Sequence, residues 1–195
     1  MRVLEMSVRK VVQTTLRWLF PFFYGHEIEI IDQFHEWSAY ERMPITVEDV
    51  KWYVEQVREK DPRALKGIKS IILCNMEPQF HPNVRGSYTV DVEKREVNIR
   101  LYGMAYLPSI DTYTLDYSDT GELKAGFTPA QARDLMLSTL GHEIGHNVEY
   151  RRSGRLFGDD VEKFCDRYAD ELNIVVDPER SGQWRLFFID DVIPL

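Results

Sequence analysis

Residues 128–172 read TPAQARDLMLSTLGHEIGHNVEYRRSGRLFGDDVEKFCDRYADEL, and the rest of the chain is interpreted outward from this stretch. Thr128-Pro129-Ala130-Gln131 has the form of a helix start, with Thr as N-cap, Pro at the first helical position and Gln three residues after the cap. Leu135, Met136, Thr139, Leu140, Ile144 and Val148 then recur near the 3.6-residue period. The spacing predicts a helix to about Arg152, stopped by Gly154. A second helix is predicted from Asp159 through Phe164, Cys165, Tyr168 and Leu172.

Inside the first helix, residues 142 to 146 are His-Glu-Ile-Gly-His. Two histidines four apart share one helix face about one turn apart, so both imidazoles can converge on a single metal ion. Glu143, next to the first of them, is placed to take a proton from an attacking water as general base. Uncharged Thr139, Leu140, Ile144, Gly145, Asn147 and Val148 surround the motif, which keeps the inward faces of the helix free to pack.

A catalytic zinc site wants three protein ligands, so a third donor is required. No His follows His146, and Glu149 and Arg152 stand where an extended HExxHxxGxxH pattern would need Gly and His. The donor must therefore be a carboxylate or Cys165 if it lies downstream. Glu162 and Asp166 are four apart on one face of the second helix, which lets one bind metal while the other accepts an N–H from a ligand imidazole. Glu162 is read as the ligand and Asp166 as the residue that orients a ligand histidine. Glu162 also fits a capping-box acid at a helix start. Cys165 shares apolar-face spacing with Phe164, Tyr168 and Leu172 and is read as core packing.

HEIGH followed by VEKFCDRYADEL resembles the gluzincin division of the zincin metallopeptidases, and within it the HtpX and CAAX prenyl protease group and the ImmA/IrrE-type minimal peptidases. The string Glu162, Asp166, Tyr168, Ala169 carries the likeness, which covers residues 128 to 172 and more loosely the strands from Ile68 to Leu101. Two features depart from those families: Cys165 replaces a small Ala, and only sixteen positions separate His146 from Glu162. The connection must then turn tightly through Ser153-Gly154. The resemblance implies an α+β, minimal zincin-like fold, with a small twisted, mostly antiparallel sheet packed on the active-site helix and the ligand-bearing helix. It implies an edge strand, Gly86 to Val92 or Val97 to Leu101, along which an extended substrate pairs. It also implies a His or Tyr that stabilises the oxyanion, for which Tyr106, Tyr113, Tyr150, Tyr168 and His81 are candidates.

Upstream, Thr46 precedes Glu48, Asp49 and a helical run that ends at Asp61-Pro62. Ile68 to Cys74 (IKSIILC) has the β-branched content of a buried strand, and GSYTVDV and VNIRL alternate on either side of a polar turn at Glu93 to Glu96. Gly103 to Gly126 shows little periodicity and is expected to be a long loop, acting as a flap. Val11 to Tyr24 is read as an amphipathic docking helix, interrupted by Arg17 and Pro21 and short of the ~20 residues that span a bilayer. Asn173 to Val176 and Trp184 to Ile189 are candidate short strands. The expected organisation is a helical N-terminal extension (1–45), a zincin-like domain (46–176) and a C-terminal tail (177–195).

The 195 residues suit one domain, and 44% apolar residues suffice for a core. A formal net charge of −8 disfavours nucleic-acid binding. The basic groups Arg151, Arg152, Arg155 and Arg9, Lys10, Arg17 read as solvated helix faces. Two cysteines, Cys74 and Cys165, make no disulfide framework, and neither a signal peptide nor a membrane span is expected, so a cytoplasmic location is the expectation. His26 and His35 read as ordinary surface or partly packed residues. The function expected is a zinc-dependent endopeptidase acting on a peptide or protein substrate. The alternative is a zincin-like regulatory or binding protein acting through partner contacts, with a latent or non-proteolytic metal site. A deformylase-like hydrolase is disfavoured because Cys74 lacks that group's neighbouring residues.

Overall fold

A computed structural model of the chain describes residues 27–36, 39–75, 84–94, 96–117, 123–172 and 174. Among the described residues, three helices and two four-stranded sheets make up an α+β architecture, and neither sheet closes into a barrel. The first sheet runs β1 (Glu29–Asp32), β3 (Ile68–Cys74), β5 (Glu96–Tyr102), β4 (Gly86–Asp91). β1, β3 and β5 are parallel neighbours, while β4 and β5 form the expected antiparallel hairpin, with Tyr88 opposite Ile99. The second sheet is antiparallel throughout and runs β2 (Glu41–Arg42), β6 (Met104–Leu107), β7 (Thr112–Tyr117), β8 (Leu123–Phe127). Four of the six strand pairings are thus antiparallel.

Two expectations from the sequence are corrected here. Much of the 103–126 segment is β6, β7 and β8 rather than a loop. Tyr106 and Tyr113 face each other across β6 and β7 with ring centroids 5.0 Å apart, and Arg42 lies 4.1 Å over the Tyr106 ring. Short strands stabilised by such cross-strand pairs need no long apolar run, which is why the polar composition concealed them. The N-terminal segment is not wholly helical either. β1 joins the first sheet and β2 the second, so the domain begins before residue 46. The docking helix predicted at 11–24 and the strands predicted at 173–176 and 184–189 lie outside the described residues, apart from Ile174.

α1 (Val47–Lys60) starts in a capping box, in which the Thr46 hydroxyl accepts from the Asp49 N–H and the Asp49 carboxylate accepts from the Thr46 N–H. α2 (Pro129–Ser153) starts the same way, with Thr128 and Gln131 in the reciprocal roles, and ends at Gly154, whose φ of 74° is the left-handed cap that glycine adopts without strain. Twelve residues of α2 are buried, distributed around the helix from Ala132 to Glu149. It packs on β4 and β5 on one side and on α1 and α3 (Asp159–Leu172) on others, so it is the central core element. The Arg133 guanidinium donates two hydrogen bonds to Asp49 Oδ1, at 3.0 and 2.6 Å, and so joins α2 to α1.

α2 and α3 meet through small residues. A Cβ added to Gly145 would lie 3.0 Å from Cys165 Cα, and one added to Gly141 would lie 3.3 Å from Ala169 Cβ and 2.5 Å from Tyr53 Oη. Gly141 with Ala169 and Gly145 with Cys165 are two rungs of an antiparallel helix pair, each four residues from the other. Gly145→Val is therefore expected to force these helices apart and lower the unfolding free energy by about 2–3 kcal/mol, as overpacking a tight core does. Urea denaturation measures this, and an unchanged midpoint would show that the two helices do not meet here.

Candidate metal centre and cleft

Three donor atoms converge where α2 crosses α3. His142 Nε2 lies 3.1 Å from His146 Nε2 and 3.2 Å from Glu162 Oε2, and His146 Nε2 lies 3.6 Å from the same Glu162 oxygen. In a tetrahedral site with bonds of about 2.0–2.1 Å, ligand atoms stand about 3.3–3.4 Å apart. The three edges scatter around that value, so these residues fit a tetrahedrally bound ion with one position left over. On the far side of its ring, His142 Nδ1 is 2.8 Å from Asp166 Oδ1. That contact assigns the Nδ1 proton to the Asp166 bond and leaves the Nε2 lone pair facing the other two donors.

His146 has no such support. Its Nδ1 is buried and has no hydrogen-bond partner among the described residues. If Nε2 presents its lone pair to the donor triangle, Nδ1 carries an unpaired proton, at a cost of about 1–3 kcal/mol. The ring is held by stacking instead: the Tyr88 ring lies 5.9 Å away at 24°, and the Tyr88 hydroxyl donates to Asn147 Oδ1 at 3.2 Å. Asn147 Nδ2 donates in turn to the carbonyls of Ala64 and Lys66 at 2.6 and 3.1 Å. Tyr88 and Asn147 thus lock the HEIGH segment against β4 and the loop before β3. Sequence reading did not find this role; its only trace in the sequence is the uncharged polar Asn147 directly after the motif, at a position that the structure shows fully buried.

Cys165 Sγ also lies within 4.8 Å of donor atoms of His142 and His146, so His142, His146 and Cys165 form a second set able to hold a metal. The residue is fully buried and packs through its Cα and Cβ against Gly145. Burial, reinforced by the neighbouring carboxylates, pushes its thiol up to about 12.

Glu143, beside the first ligand histidine, lies against β4. It is only 6% exposed, and a Cβ on Gly86 would stand 2.8 Å from its Oε1. Burial, then the nearby Glu162 charge, push its pKa up to about 8, while Arg85 acts in the opposite sense. Burial lowers the pKa of the Arg85 guanidinium, against the pull of Asp166 and Glu143. His142, Glu143, His146, Glu162, Asp166 and Arg85 all line a cavity of about 690 Å³ between β4, α2 and α3.

The residues considered for oxyanion stabilisation are elsewhere. Tyr106 donates to Asp111 Oδ1 at 2.5 Å in the second sheet, where Tyr113 packs beside it, and Tyr168 donates to Asp61 Oδ2 at 3.1 Å. Neither these nor Tyr150 line the cavity, and His81 is outside the described residues. His35 also lies off the cavity, its backbone paired with the Asn75 amide, and His26 is not described. Comparison of the chain with protein-family models, curated proteins and solved structures returns no match.

The raised Glu143 pKa makes a stability prediction for the metal-free protein. Between its ordinary value of 4.5 and about 8, the unfolded chain releases this proton while the folded chain keeps it, so the residue's contribution to stability falls as pH rises through that window. Chelator-treated Glu143→Gln is expected to exceed chelator-treated wild type in unfolding free energy by roughly 2–4 kcal/mol at pH 8, and by little at pH 5. Urea denaturation at the two pH values measures the difference; a pH-independent difference would contradict the burial assigned to this carboxyl.

Proposed function

We propose that this chain is a zinc-dependent endopeptidase of minimal zincin-like type, with His142, His146 and Glu162 as metal ligands and Glu143 as general base. The observation that carries the reading is the triangle of His142 Nε2, His146 Nε2 and Glu162 Oε2, with edges of 3.1, 3.2 and 3.6 Å. Zinc bound there supplies a Lewis acid that polarises a carbonyl and eases ionisation of water. Two imidazoles and a carboxylate suit it, and Cys165 remains in the contact between the helices.

The chain's own residues then divide the work. Asp166 fixes the His142 ring in the tautomer that presents Nε2. Glu143 takes a proton from the attacking water and hands it to the departing nitrogen. The task requires an ionised carboxylate, and Arg85 is the positive charge of this chain that favours that form. β4 is an edge of the first sheet among the described strands and contributes Gly86, Ser87 and Tyr88 to the cavity wall. Its outer backbone groups, which pair with no described strand, suit an extended peptide or protein substrate added as a further strand. No helix of the described residues is long and apolar enough to cross a membrane. Cys74 and Cys165 are not joined in a disulfide, which suits a reducing compartment such as the cytoplasm.

Protein purified without added metal is expected to carry about one zinc per chain by elemental analysis, and Glu162→Ala to lose most of it. Glu143→Gln is expected to keep its zinc and to hydrolyse unfolded casein at least ~10²-fold more slowly than wild type. Wild type that takes up no zinc even after supplementation would contradict the metal site. Undiminished hydrolysis by Glu143→Gln would contradict the mechanism.

A further inference from the structure

When water attacks an amide, the carbonyl oxygen becomes an oxyanion, and donors aimed at it contribute much of the rate. The donors lining the cleft are mostly committed elsewhere. Ser87 Oγ shares a hydrogen bond with Tyr102 Oη at 2.8 Å, Tyr88 Oη is spent on Asn147, and Thr139 Oγ1 donates to the Leu135 carbonyl at 2.9 Å. Ser138 is a neutral hydroxyl exposed to water.

Arg85 differs from all of these. Among the described residues lining the cavity it is the one cation, and its guanidinium forms no hydrogen bond or ion pair with another described residue. Its main chain is fixed: the Arg85 carbonyl accepts from Tyr102 N–H at 2.8 Å, and the next residue, Gly86, lies against Glu143, whose Oε1 would stand 2.8 Å from a Cβ added there. A partly buried charge with five donors is therefore held one residue from the point where the general base touches β4.

We infer that Arg85 is a catalytic residue, donating N–H bonds to the scissile carbonyl oxygen as that oxygen becomes an oxyanion. The inference rests on the peptidase reading and names a group that the resemblance would have assigned to His or Tyr. In the step, the water oxygen bonds to the carbonyl carbon, the π pair moves to the carbonyl oxygen, and Glu143 takes one water proton. The pair then returns, the C–N bond breaks, and Glu143 delivers that proton to the leaving nitrogen, giving a carboxylic acid and an amine. Arg85 stays charged throughout and transfers no proton.

The test uses zinc-loaded full-length wild type, Arg85→Met and Arg85→Lys, with N-phosphoryl-leucinamide as the probe, since its tetrahedral oxygens mimic the attacked carbonyl. Zinc content is expected to be equal in all three. By calorimetry, Arg85→Met is expected to bind the probe at least ~10-fold more weakly, with Arg85→Lys between it and wild type. On unfolded casein, kcat of Arg85→Met is expected to fall ~10²–10³-fold with a smaller change in KM, and added guanidinium ion to restore part of it. An Arg85→Met protein that holds zinc and matches wild type in probe affinity and kcat would overturn the role of Arg85 and leave the peptidase reading standing. Zinc-loaded wild type that neither binds the probe nor cleaves casein would overturn both. If Arg85→Met fails to fold or loads less zinc, Arg85→Lys decides: wild-type affinity and kcat there, without a further effect of guanidinium, overturn the assignment.

Discussion

The close approach of α2 and α3 is the constraint on which the site depends. Gly141 and Gly145 on one helix face Ala169 and Cys165 on the other, and no larger side chain fits at either glycine. Because the helices run antiparallel and share these two rungs, Glu162 and Asp166 come alongside His142 and His146, one turn further along the same surface. The short connection is fitted to this: Gly154 and Gly158 both adopt positive φ, and Arg155 pairs with Asp160 through bonds of 2.5 and 2.8 Å. Such a turn returns the chain within six residues, which is why an interval of sixteen between His146 and Glu162 suffices.

The same contact concentrates unfavourable electrostatics. Glu143 is buried and raised to about 8, and His146 is lowered by burial, with the Glu162 and Asp166 charges opposing and the His142 charge adding to it. His146 Nδ1 is unpaired among the described residues. Groups arranged in this way are costly for folding, and they are offset by the apolar packing of Met136, Leu137, Leu140 and Ile144 on the same helix, all fully buried. Strained groups of this kind, gathered where α2 lines the cavity, single that face out as a candidate functional site.

Much of this was legible before any coordinates. The α2 and α3 helices, the two caps of α2, the hairpin of β4 and β5 and the burial of Cys165 follow from local signals: Thr128 with Gln131, Gly154, alternating Tyr88 and Val90, and the spacing of Cys165 with Leu172. Long-range arrangement did not follow. Nothing local in Glu29–Asp32 says that it lies parallel to β3, and the second sheet is held by Tyr106 and Tyr113, from a segment that read as loop, with Arg42, from one that read as a helical extension. Of the site, the pair of histidines was visible because four-residue spacing is a local fact. Asn147, Tyr88 and Arg85 were not, because their roles come from partners 59 to 83 positions away or from a cavity wall shared by three elements.

The central claim is that two helices supply two imidazoles and one carboxylate to a single ion, with the neighbouring thiol excluded. X-ray absorption fine structure at the zinc edge of the zinc-loaded full chain tests it most directly. The account predicts nearest scatterers that are all nitrogen or oxygen at about 2.0–2.1 Å, with the outer-ring signature of two histidines. A sulfur scatterer at about 2.3 Å would contradict it and put Cys165 in the place assigned to Glu162.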